Sequence, residues 1–135
     1  MWKKLCLIVV FGLFISMIIS SYRDYYSEWK LENSGTPDLV SCIATDDMYF
    51  LSIIANSKEI DDADKFTQRI IDMCHKNVFR SIRFTKDIRT VKLEIAVYLN
   101  KKEMKTGQFV GTIQYDPQSR SAKCKMEDME FLINI

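Results

Sequence analysis

Residues 91–99 read VKLEIAVYL, and the alternation in this stretch decides how the rest of the chain is arranged. Val91, Leu93, Ile95, Val97 and Leu99 fall on one side of an extended chain, with Lys92, Glu94, Ala96 and Tyr98 on the other. Five matches to a period of two specify a strand with one dry face and one wet face. A strand of that kind needs hydrogen-bonded neighbours and an apolar element over its inner side.

The covering element is legible upstream. From Asp61 the apolar period changes, with Ala63, Phe66, Ile70, Ile71, Met73 and Cys74 recurring every three or four residues. Asp61, Asp62 and Asp64 load the start with negative charge, His75 and Lys76 close the end, and Asn77 is a stop. That polarity suits a helix dipole, so the pattern predicts an amphipathic helix over 61–76. Asp61–Asp64 has neither the ligand spacing nor the central glycine of a calcium loop.

The neighbours are read on both sides. Residues 79–85 are expected to form a strand with Ile82 and Phe84 inward, and GQFVGTIQY at 107–115 another with Phe109, Ile113 and Tyr115 in register. DPQS at 116–119 is a turn. Ala122, Cys124 and Met126 are in phase, but Met129, Phe131, Ile133 and Ile135 are out by one, which places a bulge or break at Glu127–Asp128. Residues 39–44 alternate, TDD at 45–47 interrupts, and MYFLSIIA at 48–55 resumes, as in two strands joined by a tight turn. A helix over 48–55 is the competing reading. The expected fold class is α+β: one amphipathic helix on an antiparallel sheet of about four to six strands, in two layers, with the last four segments a meander.

This domain, 38–135, follows a different kind of segment. Leu5 to Ile19 carries no charge and no proline, and Lys3 and Lys4 precede it. With Trp2 and the following serines the run approaches membrane-spanning length. A cleaved signal needs small residues at alternate positions; Ile18-Ile19-Ser20 and Ile19-Ser20-Ser21 are poor matches. Tyr22, Tyr25, Tyr26 and Trp29 repeat at helical spacing, the placement of rings in a headgroup layer, with Trp2 at the opposite boundary. Residues 1–21 are therefore read as an anchor and 22–37 as a juxtamembrane helix and hinge, the hinge marked by Asn33, Ser34, Gly35, Thr36 and Pro37. The lysines hold the amino end in the cytoplasm and the domain outside. The alternative is a signal peptide that releases a secreted protein. Isoleucine exceeds leucine and lysine exceeds arginine, a bias that points to an AT-rich bacterial source.

The 135 residues are 47% hydrophobic and 27% charged, with formal net charge +1, which excludes a disordered or fibrous chain. Cys42, Cys74 and Cys124 lie outside the apolar leader. They read as buried small hydrophobes, with Cys42–Cys124 the pairing that an oxidising compartment would permit. No C-x2-C pair offers half a zinc cage. Adjacent Cys74 and His75 point about 100° apart on a helix and do not make a nucleophile–base pair. Phosphate-binding and hydrolase motifs are missing, so no catalytic residue and no cofactor are assigned.

Charge is the remaining signal. Residues 23–64 carry three basic side chains against ten acidic ones, and 76–106 carry nine basic against three acidic. On the strand phases above, Arg83, Lys92, Lys123 and Lys125 turn away from the helix alongside Tyr98, Thr112 and Gln114. The open face is then expected to be partly basic and to meet a protein partner or an anionic envelope polymer. Nucleic acid is not expected, because the aromatic interleaving for stacked bases is missing. The sequence points to a membrane-tethered, extracytoplasmic, non-catalytic interaction module; the alternative is a secreted small enzyme or inhibitor.

Overall fold

The computed structural model describes residues 1–135. Helix α1, Trp2–Glu32, is a single unbroken helix of 31 residues, about 45 Å long at the usual rise. None of its residues is buried, and its apolar side chains are exposed all the way round. It is long and apolar enough to cross a membrane. The expected anchor and juxtamembrane helix are thus one element, continuous through Ser20 and Ser21.

The domain runs β1 Asp38–Ala44, β2 Met48–Ile54, α2 Ala63–Lys76, β3 Lys92–Tyr98, α3 Lys101–Thr106, β4 Gly111–Asp116, β5 Ser121–Met126 and β6 Met129–Asn134. The six strands form one sheet in sequence order. Helix α2 lies on one face and makes this an α+β fold of two layers. Asp62 caps its start, its Oδ1 accepting from the Lys65 backbone N–H at 3.0 Å, and Asn77 ends it in a left-handed conformation, φ 54°. Ile70, Ile71 and Cys74 of α2 pack on Leu51, Ile53, Leu93, Ile95, Val97, Ile113 and Cys124. Each fully buried Leu or Ile contributes roughly 1.5–3 kcal/mol. Substitution at Gly111 has no room for a side chain: a Cβ there would stand 2.3 Å from the Lys125 carbonyl oxygen.

Three expectations are corrected. Residues 79–85 form no strand. Phe79 and Phe84 are buried and Ile82 is half-buried, but the backbone is tied by side chains instead of a ladder. Asp38 Oδ1 accepts from the Arg80 and Ser81 backbone N–H groups at 3.0 and 3.1 Å. Asn77 Oδ1 accepts from Phe84 N at 2.7 Å while its Nδ2 donates to Phe84 O at 2.8 Å. Removing that strand also changes the sheet. With only α2 and a loop between them, β2 and β3 are joined by a crossover and pair in parallel; the other neighbours are antiparallel.

The third correction lies between β3 and β4. Helix α3 was not expected, and β4 begins only at Gly111, which leaves Phe109 61% exposed and not inward. Asn100 accepts from the Glu103 N–H at 2.9 Å and Gly107 closes the helix at φ 74°. The phase slip at Glu127–Asp128 is a break: these two residues form the β5–β6 turn, with Glu127 at φ 52°. The connector read as a hinge carries hydrogen bonds to the domain. Gly35 N–H donates to Asn56 O at 2.8 Å, Asn56 Nδ2 donates to Thr36 O at 2.8 Å, and Arg69 reaches Gly35 O at 3.1 Å. Lys101 at the head of α3 pairs with Glu28 of α1 at 3.2 Å.

Asn77→Ala should lower unfolding free energy by about 2–4 kcal/mol, from two lost hydrogen bonds and a left-handed backbone forced on alanine. Asn77→Gly should lose less, since glycine takes that backbone without strain. Urea unfolding followed by circular dichroism checks both, and an unchanged midpoint for Asn77→Ala would contradict the tie.

Candidate functional site

The face of the sheet opposite α2 carries no helix, and the strand register states what it presents. One row across the sheet runs Ile43, Phe50, Glu94, Gln114, Lys123, Leu132. The next runs Ser41, Ser52, Ala96, Thr112, Lys125, Glu130. Lys92 and Asp116 lie beyond the first row on the same side, and Tyr98 beyond the second. Of the expected surface residues, Lys92, Tyr98, Lys123 and Lys125 are brought together here. Arg83 is not: it sits in the loop between α2 and β3, since the strand expected to carry it does not form.

The face is also less basic than its lysines suggest. Glu94, Asp116 and Glu130 share it with Lys92, Lys123 and Lys125, so the two signs balance. Lys123 and Glu130 pair at 2.5 Å, and that hydrogen bond from Lys123 holds the Glu130 carboxyl below its ordinary range. Both side chains are at least half exposed, so solvent screens the pair and it adds little to stability.

What the sequence reading missed on this face is apolar. Ile43 is 63% exposed, Phe50 41% and Leu132 68%, at the two flanks of a polar centre. The signal was obscured in β1 by a bulge. Leu39 pairs with Ile53 and Ser41 with Ser52, so Val40 is an extra residue. Leu39 therefore points to the core, and two residues further on the phase has flipped so that Cys42 faces inward and Ile43 outward.

The cysteines lie apart. Cys42 is in β1 and Cys124 in β5, with three strands between them. Four strand spacings amount to about 19 Å, far beyond disulfide reach. All four cysteines are free thiols, and the Cys42–Cys124 pairing is excluded. Burial, and secondarily Cys42, pushes the Cys74 thiol up to about 12, so it is no nucleophile. His75 stacks edge-on to Tyr115 at 5.2 Å, with its Nε2 buried and unpartnered. Burial lowers its pKa, opposed by Asp72 and Asp87 and assisted by Arg89. Arg89 in turn grips Asp87 through paired hydrogen bonds, which bring that carboxyl to about 2. No group of three potential metal ligands converges anywhere.

At the other end of the molecule, Tyr22, Tyr25, Tyr26 and Trp29 are exposed on α1, Tyr26 and Trp29 stacking at 6.1 Å, and Trp2 is exposed at its start. No family model matches the chain, and no curated protein or solved structure matches it.

Two measurements check the thiol and imidazole chemistry. Thiol titration in denaturant without reductant should find four thiols, the count expected of unpaired cysteines. Because folding favours neutral His75, the unfolded chain binds the extra proton first. Stability should be full above the ordinary imidazole range and fall as pH drops through it and on through the lower folded value. His75→Leu should flatten that decline in a series of thermal melts.

Proposed function

We propose that the chain is a membrane-tethered interaction module that holds its domain outside the cell membrane and presents the open face of the sheet to a protein partner. The observation that carries this reading is the uncovered face itself: six strands wide, apolar at Ile43–Phe50 and at Leu132, polar and charge-balanced between. Apolar anchors set beside paired charges suit a protein surface. An anionic polymer would favour a net positive face, and Glu94, Asp116 and Glu130 count against one. Tethering is supported by α1, whose exposed apolar surface has no place in water. Continuous helix through Ser20–Ser21 disfavours release, since the poor cleavage positions there are also in regular structure. Lys3 and Lys4 before the apolar run favour an inside amino end.

The test uses the full chain in its producing cells. A photoreactive phenylalanine analogue in place of Phe50 should capture a discrete protein adduct, whereas the same analogue at Gln68, on the outer side of α2, should not. Phe50→Glu and Leu132→Glu should each weaken capture by about tenfold or more, the loss of an interface anchor. Equal adducts from both positions, or capture indifferent to the glutamates, would refute the face. A soluble form whose amino terminus lies near Tyr22 would refute the tether and favour the secreted reading.

A further inference from the structure

The end of the sheet nearest α1 is set by topology. The connector 33–37, α3 with the loop 107–110, and the β5–β6 turn all lie at that one end, because β1 starts, β3 ends, β4 starts and β5 ends there. Among these, α3 is the element drawn against α1. Lys101 pairs with Glu28, and Tyr25, Trp29, Glu32, Lys102 and Lys105 line one groove between the two helices. Glu28 stands seven residues beyond Ser21, where the apolar run ends, or about 10 Å along the helix axis. The headgroup layer is roughly 5–8 Å deep on each side of the hydrocarbon. With α1 inserted to Ser21, the α3 lysines stand within side-chain reach of that layer and within one Debye length of its charge.

We propose that α3 and the loop after it form a second contact with the bilayer that α1 crosses, with Lys102 and Lys105 facing anionic phospholipid headgroups and Phe109 entering between them. The inference rests on the tether reading above. It draws on three independent features of one corner: Lys102 and Lys105 on α3, an aromatic ring left 61% exposed three residues after the helix, and the interfacial rings of α1 lining the same groove. The connector, fastened by three hydrogen bonds, gives the domain little freedom to swing this corner away. Glu28 is taken up by Lys101, and Glu32 and Glu103 share the corner, so the lysines left to meet headgroups are Lys102 and Lys105. Other acids lie further round the sheet. Glu127 and Asp128 belong to the β5–β6 turn, and Asp62 lines a groove with β6.

The experiment is hydrogen exchange on the full chain in nanodiscs of phosphatidylcholine alone or mixed with phosphatidylglycerol. In the anionic discs, amides of 102–110 should exchange about tenfold more slowly than in neutral discs, the population shift that Lys102 and Lys105 near an anionic surface can supply. High salt should abolish the difference. Lys102→Glu with Lys105→Glu should abolish it too, with the β3 amides still protected as proof of folding; Lys101 is left intact because it holds Glu28. Should that double variant not fold, the comparison of the two lipids on the native chain still decides. Equal exchange in both discs, with the protein fully incorporated, overturns the second contact alone. Protein that fails to enter discs overturns the tether and this contact with it.

Discussion

One helix cannot cover both sides of a six-stranded sheet, and most of this molecule follows from that constraint. Helix α2 is 14 residues, about 21 Å long. It shields one face, where Ile70, Ile71 and Cys74 meet the inward residues of the strands. The other face has only side chains between its backbone and solvent. A strand in such a sheet must alternate, and VKLEIAVYL alternates because Leu93, Ile95 and Val97 see α2 while Lys92, Glu94 and Ala96 do not. The same asymmetry leaves a broad surface free for a partner.

The long connection from α2 to β3 shows a second way of satisfying a buried backbone. Phe79, Phe84 and Ile88 enter the core from this loop. Donors that a strand would have paired with a neighbour are met by Asp38 and Asn77. These two polar residues make an irregular segment as definite as a ladder would, and they leave β2 and β3 free to lie side by side in parallel. Backbone groups have to be paired, but not by backbone.

Helix α1 is long and apolar enough to cross a membrane. Its apolar surface is exposed all round, unlike the one-sided face of α2, and the domain touches only its last turns. The fastened connector and the Glu28–Lys101 pair turn what looks like a flexible hinge into a joint with a preferred angle. That joint sets α3 beside the last turns of α1.

Local periodicity was enough to identify the membrane-suited helix, the amphipathic α2 with its acidic start and Asn77 stop, the strand 92–98, the tight turn at 45–47 and an interruption at 127–128. Each of these is encoded by contiguous residues whose pattern reports directly on burial. Lys92, Tyr98, Lys123 and Lys125 could be placed on one face for the same reason. What contiguous residues could not encode was pairing. That β2 and β3 run parallel, that Arg83 falls in a loop, that Cys42 and Cys124 are four strands apart, and that Glu94 and Glu130 neutralise the lysines are all facts about strand order and register. The extra residue at Val40 is the plainest case, because a bulge reverses which side chains face inward and is defined only against the partner strand. Sequence determined which segments have a dry side; only the assembled sheet decided which of those sides meet.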